Sequence, residues 1–246
     1  MAIVLVIVGI LFGGMVVGAA SQIENRKVAE TRQTLANVRE ALLGFAAAHG
    51  RLPCPAAANA TGVSVPDGGG ACTNALSGFV PGMTLGVSPA DGQGYVLDAW
   101  GQRVRYAVTT ASANAFTTNE GLKAVWANIP AGDLMVCATA TGLTNAGTAN
   151  AQCPAGVRQV QDAVAVIYST GRNGDVRTDV AAADAAGQGA DERHNPNRNS
   201  AVAADRAFIS HEPTASGSAA GEFDDELIWI SPSILFSRMI AAGRLP

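Results

Sequence analysis

Aromatic residues make up 5% of this 246-residue chain and charged residues 15%, with a formal net charge of −4. So little Lys and Arg, nowhere gathered into a basic patch, gives no electrostatic footprint for nucleic acid, and none is expected as a partner. Histidine is scarce too, with only His49, His194 and His211. No GxSxG elbow, HExxH pair or P-loop occurs, and Gly68-Gly69-Gly70 lacks the lysine and hydroxyl that phosphate cradling needs. His194 and His211 with Ser210 or Asp224 have the residue types of a triad, but such types co-occur by chance in a chain this long. His49 falls at a predicted helix end, where an imidazolium complements the helix dipole. No catalytic residues and no enzymatic role are expected.

Cysteine is limited to Cys54, Cys72, Cys137 and Cys153, two sequence-local sets flanked by Gly, Pro, Ala and Thr. CxxC-type spacings are missing, which argues against a structural zinc site. Four cysteines allow three connectivities. Local pairing of Cys54 with Cys72 and Cys137 with Cys153 is favoured. Each bridge would close a loop of roughly 15–20 residues, worth about 3 kcal/mol in the chain-entropy account. Such pairing requires an oxidising compartment.

Long apolar runs are absent except at the start. Met1 to Ala20, MAIVLVIVGILFGGMVVGAA, is uninterrupted and has about the 20-residue length that a bilayer-spanning helix needs. A cleaved signal would carry a basic n-region and a shorter apolar core, and a buried core helix would show a polar face, so a retained membrane helix fits best. From Ser21 onward charges appear, while Leu35, Val38, Leu42 and Phe45 recur at three- and four-residue steps as one apolar stripe. Gly50 can cap the helix, and Pro53 and Pro55 forbid its resumption. One helix is therefore predicted over residues 1–50, apolar in its first half and amphipathic in its second. Gly9 with Gly13 and Gly14 with Gly18 form GxxxG spacings. These suit close helix approach in a membrane or filament core, although glycine is also simply common in membrane helices. Arg26, Lys27 and Arg32 just after the run would by themselves place the large domain in the cytoplasm. The cysteines argue for the periplasmic side, and that is the expected location.

The string Ala2-Ile3-Val4-Leu5-Val6-Ile7-Val8-Gly9-Ile10-Leu11 resembles the N-terminal helix of type IV pilins and type II secretion pseudopilins. Asp98-Ala99-Trp100-Gly101-Gln102 is similar to an aspartate-x-tryptophan-glycine-asparagine segment of major pseudopilins, and Ile167 to Gly174 to their serine-x-glycine-x-aspartate-glycine turn. Arg51-Leu52-Pro53-Cys54-Pro55 and the ending Phe223 to Pro246 resemble an uncharacterised group of prepilin-like proteins. The resemblance implies a structural subunit held in the inner membrane by one helix, with its C-terminal domain in the periplasm, before extraction into a filament. Its implied partners are other pilin or pseudopilin subunits, the inner membrane, the assembly platform and a prepilin peptidase. The family's basic leader, cleavage glycine, N-methylated residue and glutamate precede the position that Met1 holds here, so the resemblance leads to an expected reading frame extending upstream. The length exceeds that of a typical major subunit, which favours a minor, initiating or tip position.

The fold class expected is α+β and pilin-like, with the long N-terminal helix packed on a small antiparallel sheet in a head over residues 51–246 and a helix at the C-terminus. Strand signals lie at Arg103 to Thr110, Leu134 to Ala138, Ala163 to Ser169 and Leu227 to Ile230, each rich in β-formers and bounded by turn residues. Between Gly171 and Gly221 an Ala/Gly/Asp/Asn stretch without periodicity reads as a flexible loop. Ser231 can cap a closing helix with Pro232 in its first turn, Ile234, Leu235, Met239 and Ile240 on one face, and Gly243 at its end. Major pseudopilins hold calcium after the serine-glycine turn. Here Asp175, Asp179 and Asp184, with Asp191 and Glu192, could supply oxygen ligands, although no EF-hand spacing exists and a solvated acidic loop is the alternative. No other cofactor is expected. A second functional class also fits: a monomeric membrane-anchored periplasmic binding protein or adhesin whose 171–221 loop holds a ligand.

Overall fold

The computed structural model describes residues 2–58, 61–146, 148, 150–173, 189–195 and 205–246, with residues 2–20 described as helical backbone alone. Helix α1, Ala2–His49, runs for 48 residues without a break. At 1.5 Å per residue that is about 70 Å. Gly50 ends it with φ +72° and returns its N–H to Ala46 O at 2.8 Å. Leu35, Val38 and Leu42 are fully buried. At the end of the stripe the structure departs from the expectation, because Ala46 and Leu43 take the core positions while Phe45 stays half-buried and stacks on His49 at 4.0 Å. Steps of 3.6 from Leu35 and Leu42 reach Ala46 before Phe45, so helix geometry prevails over side-chain size.

Among the described residues the head carries seven strands: β1 Gly78–Phe79, β2 Arg105–Val108, β3 Leu134–Cys137, β4 Arg158–Ala163, β5 Ala165–Ser169, β6 Ala207–Ile209 and β7 Glu226–Ile230. Four form an antiparallel sheet in the order β1-β2-β5-β7, and three form a second sheet in the order β4-β3-β6. Only Val164 separates β4 from β5, so one run of chain passes from the second sheet into the first. The docked half of α1 packs on β5 and β7.

The chain is thus mixed α+β, but two corrections follow. β6 pairs with β3 in parallel, so the head is not purely antiparallel. The stretch between Gly171 and Gly221 is not a loop throughout. It contains a short helix, Ala190–His194, and β6, whose Phe208 is fully buried in the main core against Tyr168. A three-residue strand is too short to show a period, which is why the sequence hides it.

Short helices α2 Gly82–Leu85, α3 Ala111–Asn114, α4 Gly121–Val125 and α5 Ala190–His194 lie in the connections. The closing helix α6, Pro232–Ala241, starts at Ser231, whose hydroxyl accepts from Ile234 N at 3.4 Å. Its buried face is Pro232, Leu235, Phe236 and Met239, a regular i, i+3, i+4, i+7 set. The expected face differs, since Ile234 and Ile240 are 36% and 50% exposed. Gly243 ends the helix region at φ +68°. Disulfides join Cys54 to Cys72 and Cys137 to Cys153, with Cα separations of 5.3 and 5.9 Å. Among the described residues no helix is long and apolar enough to cross a membrane. The side chains of the apolar run, residues 1–20, lie outside them.

Candidate functional site

The seam between α1 and the head is where two separate sequence strings meet. Asp98 heads a tight turn in which its Oδ1 accepts from Trp100 N at 2.9 Å and Gln102 N at 2.8 Å. Its Oδ2 accepts from Ser169 Oγ at 2.5 Å, and that hydroxyl accepts in turn from Gly171 N at 3.1 Å. Asp98 is 5% exposed and Ser169 fully buried. Burial pushes the Asp98 carboxyl above the usual aspartate range, and the Ser169 hydroxyl and loop amides that favour the anion do not cancel that rise. The 98–102 turn then grips the helix: Ala99 N donates to Thr31 Oγ1 at 3.2 Å and Trp100 Nε1 to Glu24 Oε1 at 3.3 Å.

Farther along, Arg32 forms a two-pronged pair with Glu226 of β7, Nε to Oε2 at 2.8 Å and Nη2 to Oε1 at 2.9 Å. Its guanidinium pKa is raised by that hydrogen-bonded carboxylate. At the far end Arg238 meets Glu40 at 2.9 Å, and Arg244 Nε donates to Ala47 O at 2.8 Å. Polar clamps at both ends and an apolar seam between them fix the angle at which α1 leaves the head.

Adjoining this seam lies a pocket of carboxylates. Glu192 of α5 and the pair Asp224-Asp225 just before β7 each bring an oxygen within 4.8 Å of the others. Glu192 is fully buried and Asp225 4% exposed. Asn195 positions the group: its Oδ1 accepts from Ile209 N at 2.7 Å, and its Nδ2 donates to Ile209 O at 2.9 Å and to Asp225 Oδ2 at 2.8 Å. Arg172 N donates to Asp224 Oδ2 at 3.1 Å, while the Arg172 guanidinium pairs with Glu222. Burial raises Asp224 to about 6. Asp225 rises well above the ordinary range, again through burial, with the neighbouring carboxylates adding to it. Arg105 of β2 interacts electrostatically with Asp225 and loses basicity through its own burial. Gly171, at φ +63°, has to be glycine, because a Cβ there would overlap Asp224 Oδ1.

Of the residues expected to bind calcium, Asp175, Asp179 and Asp184 lie outside the described residues. Asp191 is engaged elsewhere, accepting from Ala140 N at 2.6 Å and Thr139 Oγ1 at 3.0 Å. Of the described members of that set Glu192 joins the pocket, with Asp224 and Asp225, which the sequence reading did not include. The usable signal was the acidic pair placed directly before an apolar strand. Gly9, Gly13, Gly14 and Gly18 fall on α1 where only backbone is described. Of the triad residue types, His194 Nε2 lies 3.1 Å from Ala207 O and 3.3 Å from Asp205 Oδ2, and His211 Nδ1 lies 2.8 Å from Glu212 O, with its Nε2 3.3 Å from Asp191 Oδ2 and its ring stacked on Phe223.

Two open cavities flank these features. One of about 420 Å³ has Arg32, His211, Asp225, Glu226 and Trp229 in its wall. Another, of about 460 Å³, lies between α5 and the 216–221 turn. Compared with protein-family models, curated proteins and solved structures, the chain matches none.

Proposed function

We propose that this chain is a pilin-like structural subunit, in a minor position, of a type IV pilus or type II secretion filament, anchored in the inner membrane before assembly. The observation that carries the reading is helix α1: one unbroken 48-residue element that, among the described residues, is clamped to the head by side chains and carbonyls from Glu24 to Ala48. The preceding apolar run therefore extends past the outermost of these clamps. A helix built this way can present its first half to lipid or to sister helices while its second half holds a folded head at a fixed angle. Two disulfides in the head suit the periplasmic side.

Membranes expressing the full chain with its partner subunits test the proposal. Crosslinking is expected to yield multimers, and Gly13→Leu to diminish them while leaving the melting curve of the head unchanged. A chain that extracts as a soluble monomer, or crosslinking undiminished in Gly13→Leu, refutes the assembly role. The second reading, a membrane-anchored ligand-binding protein, draws on the cavity between α5 and the 216–221 turn, which falls in the segment that reading assigns to a ligand. It requires a monomer in the same membranes.

A further inference from the structure

The outer edges of the two sheets are not equally occupied. At β1, Ala56 exchanges both backbone hydrogen bonds with Phe79, at 2.9 and 3.0 Å. At β6, the Asn195 side chain holds Ile209 N and O at 2.7 and 2.9 Å, as a neighbouring strand would. β7 lies against α1. β4 pairs with β3 on one side, and among the described residues no strand, bridge or side chain bonds to its other edge. An unpaired edge is a template for another strand. We propose that β4 pairs with β4 of a second copy of this chain, antiparallel and centred on Val160, so that two heads join about a two-fold axis. Nothing in this pairing depends on the filament reading.

The residues of this edge select a second copy as its occupant. Laid antiparallel against itself about Val160, Arg158-Gln159-Val160-Gln161-Asp162 sets each arginine opposite the other copy's aspartate, each Gln159 opposite a Gln161, and Val160 opposite Val160. Opposite charges and apolar β-branched residues facing each other are the cross-strand pairs that stabilise a ladder. The charged groups have capacity to spare. Among the described residues the Asp162 carboxylate has no hydrogen-bond or ion-pair partner, and Arg158 Nε is a donor without an acceptor. Arg158 Nη1 and Nη2 donate to Gln161 Oε1 at 3.0 Å and Cys153 O at 2.8 Å, both neutral, so the guanidinium is held beside the strand with its charge unpaired.

Space and geometry allow the pairing. An open cavity of about 410 Å³ borders β4, with residues 158–162 in its wall beside Trp229 and Ser231, and it shares Gln159 and Trp229 with the cavity of about 420 Å³ at the seam. Half-buried Arg158, Val160 and Asp162 alternate with exposed Gln159 and Gln161, so the strand keeps its alternation although its register against β3 shifts twice. Such irregularities twist an edge and confine pairing to a short stretch, which favours one defined partner over open-ended aggregation. In the two-fold arrangement each copy covers the free edge of the other, and the contact closes on itself.

The full chain in detergent tests the pairing. All four cysteines lie in disulfides, so Val160→Cys adds one free thiol per chain. Directly opposed residues of antiparallel strands have Cα atoms about 4.5–5.5 Å apart, within the span of a disulfide. Mild oxidation is expected to trap most of Val160→Cys as a dimer linked through the new thiols, while Ser237→Cys, exposed on α6, stays largely monomeric. Sedimentation should show a reversible dimer that Arg158→Asp or Asp162→Arg each weakens by about tenfold or more, and that the two together restore to within about threefold of wild type, since they exchange the charges of each pair. If Arg158→Asp does not fold, oxidation of Val160→Cys with and without Asp162→Arg carries the comparison, the second being trapped about tenfold more slowly. A wild-type chain that stays monomeric up to about 100 μM, Val160→Cys crosslinking no faster than Ser237→Cys, or a double reversal no better than the single ones overturns the proposal. Gly13→Leu should leave this dimer intact, and loss of the dimer there would assign the association to α1 and overturn the pairing as well. Failure of the test leaves the filament reading untouched, since that reading is decided by crosslinking through α1 in membranes with partner subunits.

Discussion

Replacing Asp98 with alanine removes the acceptor that joins the 98–102 turn, the Ser169-Gly171 turn and, through Ala99 and Trp100, helix α1. Three donors lose their partner: Trp100 N, Gln102 N and Ser169 Oγ, at 2.9, 2.8 and 2.5 Å. Hydrogen bonds to an ionised group contribute about 1.5–3 kcal/mol each. The two amides lie in a half-exposed turn where water can replace the carboxylate, and relief of the buried charge offsets part of the loss. A net destabilisation of about 2–4 kcal/mol remains, which for a domain of this size lowers the melting temperature by roughly 4–16 °C. Asp98→Asn keeps an acceptor for the amides and offers a donor to Ser169 Oγ, so it should cost less than about 1 kcal/mol. Urea unfolding of the full chain in detergent, followed by tryptophan fluorescence, measures both variants, and Trp100 should shift red in Asp98→Ala as its contact with Glu24 opens. An alanine variant within about 0.5 kcal/mol of wild type, or no worse than the asparagine variant, would show that the two turns are not held together through this carboxylate.

Leu42 is fully buried on α1, so Leu42→Asp forces an unpaired charge into the core and should destabilise the head by more than about 4 kcal/mol, read by thermal melting. Gly171→Ala combines a positive φ with overlap on Asp224 and should cost more than about 2 kcal/mol in urea unfolding; a neutral effect would show that the turn can relax. A double-mutant cycle of Arg32→Ala and Glu226→Gln should give a coupling near 1 kcal/mol that shrinks with salt, because the arginine is about half exposed. Opening either disulfide by paired Cys→Ala substitution should lower stability by about 3 kcal/mol, since the bridges close chain segments of 18 and 16 residues; equal melting with and without reductant would refute this.

Local chemistry explains which elements were legible in the sequence. The end of α1 at Gly50, the Ser231 cap with Pro232, and strands β2, β3, β5 and β7 each arise from a period or a breaker carried within a few residues. β1 and β6 have two and three residues, too few to show a period. β4, RQVQDA, is polar and half exposed, so it lacks a buried strand's apolar signature. The faces of α1 and α6 were legible only approximately, because the pitch of the helix, together with the neighbours it meets, selected Ala46 over Phe45 and Phe236 over Ile234.

The sequence by itself determined a long helix apolar at its start, an oxidisable set of four cysteines and a head of mixed helix and strand, because each depends on residue types and spacings that act over one or two turns of chain. Tertiary structure alone decided that β6 would run parallel to β3, that Asp98 would meet Ser169, and that Glu192 would be carried to Asp224 and Asp225. Such meetings join residues 32 to 72 positions apart, and no local preference encodes them. They form because burying the apolar faces of the two sheets leaves these polar groups a single set of partners inside.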